Sequence, residues 1–247
     1  MNLAITFLVS VVVGLATSLG AIPTFFYRNF SERLVDSLMG FAGGVMLAMT
    51  AFNLLLPAIS TGGTWAAVAG LAFGTLFIAV VDRFAPHKHF ISGLEGKASL
   101  RLNSAWLIVL AIAIHNFPEG LSVGVTLGRG YNALGAAVAI AMGLHNIPEG
   151  LACALPLACE GYSARKVLWY TTLTGLVTPI GAVIGASAVE LIEAILPYGL
   201  AFAAGAMLYI VFDEMIPQSH RNGHEFEATL GGLGGFALMI IINSLLL

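Results

Sequence analysis

Charge is what this chain of 247 residues has least of: Asp, Glu, Lys and Arg together make up 9% of it, against roughly 25% in an ordinary soluble domain. So little charge cannot cover a surface that faces water, and a soluble fold is excluded. Basic residues number ten and the formal net charge is −3. Nucleic-acid binding needs a concentrated positive footprint, and no basic cluster with interleaved aromatics is present. Cysteine is nearly absent: Cys153 and Cys159 fall inside one apolar run, where a free thiol behaves as a small hydrophobe and no disulfide framework is expected.

What is there is apolar. Hydrophobic residues make up 58% of the chain and the mean hydropathy is +0.93. A hydrocarbon core takes roughly 20 consecutive apolar residues to cross as a helix. Eight such runs can be marked, near 3–26, 34–56, 65–81, 104–127, 133–158, 167–195, 198–216 and 230–247. With short connections they use up the chain, so residues 1–247 are expected to form a single transmembrane domain with no soluble part. The expected class is an all-α integral membrane protein with eight transmembrane helices. The first run has no Lys or Arg ahead of it and is too long for the apolar stretch of a signal peptide, so it is read as the first helix.

Basic residues orient the helices. If the first helix starts outside, the inner connections are 27–33, 82–103, 159–166 and 217–229, and these hold Arg28, Arg33, Arg83, Lys88, Lys97, Arg101, Arg165, Lys166 and Arg221, leaving only Arg129 outside. By the positive-inside rule both termini are expected on the outer side. The second run ends "GGVMLAMTAFNLLLP" and the seventh "AGAMLYIVFDEMIP", which match if one residue is skipped. Under this topology the two run in opposite directions, the pattern of an inverted repeat.

Polar chemistry is concentrated in a repeated phrase. "AIHNFPEGLS" at 113–122 returns as "GLHNIPEGLA" at 143–152. His115 and His145 fall near the middles of the fourth and fifth runs, close to the bilayer midplane, where an ionised side chain costs several kcal/mol. At about 100° per residue, His115, Asn116 and Glu119 share one helix face, and His145, Asn146 and Glu149 share another. Two such faces turned together would gather imidazoles, carboxylates and amides into one pocket. Imidazole with carboxylate suits Zn²⁺, Fe²⁺ and similar ions, whereas Mg²⁺ and Ca²⁺ prefer oxygen alone. Pro118 and Pro148 cannot give an N–H to the Ile114 and Leu144 carbonyls, so each helix is expected to kink one turn from its histidine. Freed backbone at that depth fits a wet cavity.

Plainer readings compete. One membrane His beside a Glu is often an interhelical clamp; two copies in identical spacing argue against that. Met46 could add a thioether but is also a common core filler. Asp213 and Glu214, in the inner part of the seventh run, either snorkel or draw a cation inward. His87, His89, His220 and His224 are expected in solvated inner loops, and Glu190 and Glu193 near the outer end of the sixth run in water.

The paired phrases "HNFPEG" and "HNIPEG", eight helices, outward termini and a His-bearing inner loop at 82–103 resemble the ZIP (Zrt-/Irt-like) family of divalent metal transporters. The second run and "TGLVTPIGAVIG" in the sixth also read like its bacterial members. The resemblance implies a 3+2+3 arrangement in which the first three helices are related to the last three by inverted pseudo-symmetry. It implies uptake of Zn²⁺, with Fe²⁺, Mn²⁺ and Cd²⁺ as further candidates, across a plasma (inner) membrane into the cytoplasm. These ions would be substrates rather than cofactors. One metal would be held by His115, Glu119, His145 and Glu149 with Met46. Asn116 and Asn146 would belong to a neighbouring second site sharing the two glutamates. Asp213 and Glu214 match an acidic or His pair on the inward release path. The partners implied are metal ions and the bilayer, with a homodimer as a further candidate. The chain departs from the family at Thr178, where many relatives carry Glu before the proline, and Asn53 stands near where some carry an acid. The mechanism implied is alternating access around a midplane site. An intramembrane zinc-dependent hydrolase and a non-transporting metal sensor are the alternatives.

Overall fold

The computed structural model describes residues 3–26, 31–84, 87–89, 93–95, 104–128, 133–159, 161–191 and 193–246. They form α1 (Leu3–Ala21), α2 (Glu32–Met49), α3 (Leu56–Phe84), α4 (Ser104–Leu127), α5 (Ala133–Cys159), α6 (Ala164–Gly175), α7 (Val177–Leu191), α8 (Leu196–Ile210), α9 (Ile216–Ser219) and α10 (Glu225–Leu246). A hairpin pairs β1 (His87–His89) with β2 (Gly93–Glu95), so His87 and His89 stand on a strand rather than in an irregular loop. Arg28, Lys97, Arg101 and Arg129, on which the orientation partly rests, lie outside the described residues, as do the side chains of Cys159, Glu190 and Glu193.

Local chemistry explains where these helices start and break. Ser31 caps α2, its side chain accepting from the Leu34 N–H at 3.3 Å, and Glu32 sits in the first turn, where negative charge favours the helix dipole. Pro197 opens α8 at a position that needs no N–H. Gly63 breaks α3 at φ 78°, ψ 168°, a left-handed conformation that costs a side-chain-bearing residue but not glycine. α6 ends at Gly175 and α7 resumes at Val177 with Pro179 in its first turn.

Six spans of the described residues are long and apolar enough to cross a membrane, including Leu3–Phe25, Glu32–Arg83 and Glu225–Leu246. Their burial is that of helices in lipid. On α1 the buried side is Thr6, Ser10, Val13, Gly14 and Thr17, while Phe7, Leu8, Val12, Leu15 and Leu19 are exposed. Helices that pack in lipid gain from close approach of small residues and put large apolar ones outward.

Packing sorts the helices into two groups. α1, α4, α5, α6 and α7 pack on one another, while α2 pairs with α10 and α3 with α8, these two pairs meeting through the turns Thr50–Leu55 and Val211–Met215; α2 also packs on α5, and α8 on α4. Backbones touch at glycine within each group. A Cβ on Gly150 would lie 1.9 Å from the Thr17 carbonyl oxygen, and one on Gly120 2.1 Å from that of Thr178. In the second group a Cβ on Gly235 would lie 2.1 Å from the Phe41 oxygen, and one on Gly74 1.9 Å from that of Phe202. One constant spacing separates Thr17 from Thr178, Phe41 from Phe202 and Gly74 from Gly235. The repeated segments "GLATSLGA" and "GLVTPIGA" make the same contacts in the two halves.

The match between the second and seventh runs has a structural counterpart. Each passes from α-helix into a π-helical turn just before its proline: Thr50–Leu55, of 6 residues, before Pro57, and Val211–Met215, of 5 residues, before Pro217. The skipped residue falls inside this turn.

Candidate metal site

α4 and α5 run as helices through Pro118 and Pro148 and bring the two repeated phrases together. His115, Asn116, Glu119, His145, Asn146 and Glu149 are all buried. One ligand atom each from Glu119, His145 and Glu149 lies within 4.8 Å of the others. His145 Nε2 is 3.0 Å from Glu119 Oε1 and 3.8 Å from Glu149 Oε2. Its Nδ1–H donates to the Ala42 carbonyl at 3.2 Å, which fixes the tautomer and leaves Nε2 as the free lone pair. Nε2 thus faces both carboxylates, a nitrogen-and-oxygen donor set of the kind that holds a transition-metal cation.

His115 lies at the edge of the cluster. Its Nδ1 is 3.9 Å from Glu149 Oε1, and its Nε2 is 2.7 Å from Glu214 Oε1, with both side chains of the latter pair 10% exposed. Glu214 sits in the π turn after α8 and meets His115 at the edge of the cluster. Asp213, its neighbour, is exposed. Met46 is fully buried on α2, one turn beyond Ala42.

The two asparagines meet different surroundings. Asn146 Nδ2 donates to the Val13 carbonyl of α1 at 2.9 Å. Asn116 is fully buried, and neither atom of its amide has a hydrogen-bond partner among the described residues. The hydroxyls of Thr17 and Thr178 are likewise buried without a partner.

Other predicted positions resolve differently. His220, partly exposed, donates through Nδ1 to the Ile216 carbonyl at 3.0 Å and meets the Thr229 hydroxyl at Nε2, 3.1 Å away, so it ties the turn after α9 to α10. His224 directly precedes α10, its carbonyl accepting from the Ala228 N–H at 3.0 Å, and is half-buried. Asn53 forms a reciprocal pair with Asn243, each amide donating to the other at 2.9 Å. The Ala42 carbonyl, having no side-chain signature, could not be read from the sequence, and Asn243 was missed. Asn243 could have been found, since its spacing from Asp82 is that of Gly235 from Gly74.

Residues 88–243 match the sequence model of the ZIP zinc transporter family. The chain is similar to the zinc transporter GufA of Myxococcus xanthus, with 42% identity over 243 residues covering 95% of this chain and 96% of the relative. It is similar to the zinc transporter ZIPB of Bordetella bronchiseptica, with 39% identity over 240 residues covering 94% and 78%. To the zinc transporter ZIP11 of Homo sapiens it is 33% identical over 317 residues, covering 92% and 93%.

Proposed function

The chain belongs to the ZIP zinc transporter family, and from that premise we propose that it carries Zn²⁺ into the cytoplasm by alternating access around the cluster of Glu119, His145 and Glu149. It is a multi-pass membrane transporter of divalent metal ions, not an enzyme. The observation that carries the site is the convergence of these three buried groups within 4.8 Å in a setting of apolar helices. Buried ionisable groups at that depth mark ion pathways.

His115, one residue further out, joins the set once an ion draws it in, and Met46 supplies a thioether from α2. Asn116 and Asn146 flank the site, and Asp213 and Glu214 lead inward from it. An arriving metal displaces any proton held by the ligands it binds. Imidazole with carboxylate favours Zn²⁺ and Cd²⁺ over Mg²⁺ and Ca²⁺.

The chain forms one transmembrane domain of eight passes. Glu32–Arg83, at 52 residues, would be about 78 Å long if straight, more than twice a hydrocarbon core of about 30 Å, and Gly63 divides it into two passes. α4, with 24 residues, adds another. The constant spacing between matching contacts supports a 3+2+3 order with inverted pseudo-symmetry. The balance of described and undescribed basic residues favours both termini outside, in a plasma (inner) membrane.

Uptake of radioactive zinc into sealed proteoliposomes tests the reading. Wild type accumulates metal, and His145→Ala and Glu149→Ala do not while remaining folded and inserted. Micromolar Cd²⁺ competes and millimolar Mg²⁺ does not. Binding without accumulation would leave a metal sensor; equal uptake by the variants would remove the cluster from the path.

A further inference from the structure

The two histidines of the cluster are held by opposite nitrogens. His145 gives its Nδ1–H to the Ala42 carbonyl at 3.2 Å and turns Nε2 to Glu119 and Glu149. His115 does the reverse: Nε2 lies 2.7 Å from Glu214 Oε1, and Nδ1 faces Glu149 at 3.9 Å. Each imidazole thus has one nitrogen on the cluster and one on an outer acceptor. Metal-binding histidines are oriented in this way: the N–H that does not face the metal is given to a carbonyl or carboxylate, which fixes tautomer and ring plane.

The acceptors and the cluster come from different bodies. Ala42 is on α2 and Glu214 in the turn after α8, while His115, Glu119, His145 and Glu149 are on α4 and α5. The internal repeat supplies the carboxylate once. Leu54 stands three residues before Pro57 as Glu214 stands three before Pro217, and Leu54 is apolar and fully buried.

Resting on the reading of the cluster as the transport site, we propose that Glu214 is a positioning residue for His115: it accepts the Nε2–H, turns Nδ1 toward the ion, and is not itself a ligand. Both outer acceptors lie across the seam between the helix groups. Parting of the groups therefore strips both histidines of orientation at once, and affinity falls in the step that opens the path.

The test compares two neutral replacements, so that loss of charge cancels. Gln at 214 keeps an acceptor for the Nε2–H; Ala does not. Zn²⁺ affinity is measured by calorimetry on purified Glu214→Gln and Glu214→Ala, each alone and with His115→Ala. Alone, Glu214→Ala binds about tenfold more weakly than Glu214→Gln, the effect of losing one outer partner. With His115→Ala the two bind equally. Equal binding with His115 present, tighter binding by Glu214→Ala, or a gap that persists without His115 each overturns the proposal. Wild type that binds no Zn²⁺ overturns instead the assignment of the site.

Discussion

Asn116 and Asn146 hold the same place in two copies of one phrase, yet Asn146 donates its Nδ2–H to the Val13 carbonyl at 2.9 Å, while neither amide atom of Asn116 has a partner among the described residues. An amide buried without a partner costs about 1–3 kcal/mol, so Asn116 and the neighbouring Thr178 hydroxyl have dipoles to offer a guest. They bring no charge. Of the carboxylates, Glu119 and Glu149 face the cluster, and Glu214 is held by His115 at 2.7 Å. Two carboxylates balance one dication. A second at about 4 Å would add four unit-charge repulsions of about 4 kcal/mol each at an effective dielectric near 20. Calorimetric titration is therefore expected to give one Zn²⁺ per chain; a stoichiometry near two would mean that Glu214 leaves His115 to serve a second ion.

The elements carrying these residues show what the sequence made legible. Runs of apolar residues located the helices because the bilayer demands length, and the site surfaced as polar letters inside such runs. Pro118 and Pro148 were legible too, since a missing N–H is a property of one residue. The π turns at Thr50–Leu55 and Val211–Met215 were not, because an added residue in a helix has no composition of its own. The pair of His115 with Glu214 was also hidden, being a contact over 99 positions made only when α4 meets the turn after α8. The prolines allow an element-scale test. Ala at 118 or 148 restores the N–H that the carbonyl one turn back lacks, a gain of about 1 kcal/mol. It also closes the gap in the backbone ladder beside each histidine. Pro118→Ala and Pro148→Ala are expected to melt higher in detergent and take up less zinc; higher melting with unchanged uptake would show the freed carbonyls of Ile114 and Leu144 to be dispensable.

At the scale of the whole molecule, the closest glycine-to-backbone contacts among the described residues fall within each helix group, although α2 also packs on α5 and α8 on α4. The glycine contacts at Thr17, Thr178, Phe41 and Phe202 all lie inside one group or the other. Between groups, Gly199 of α8 meets only the Val125 side chain of α4, a Cβ on that glycine lying 3.3 and 3.5 Å from its two methyl carbons. Alternating access as proposed would then move one group along the other over a seam of side chains, with the cluster on one side and the acceptors Ala42 and Glu214 on the other. A covalent bond across the seam should stop it. Val125→Cys with Gly199→Cys, in a background without Cys153 and Cys159, is expected to lose uptake on oxidation and regain it on reduction. The control joins Gly43 to Met215 within one group, where a Cβ on the glycine lies 3.7 Å from that of the methionine, close to the mean disulfide separation of about 3.8 Å. Oxidised Gly43→Cys with Met215→Cys keeps transporting if the group moves as a unit. Uptake that survives the cross-link between Val125 and Gly199 would place the moving boundary elsewhere, and would detach the loss of histidine orientation from the opening of the path.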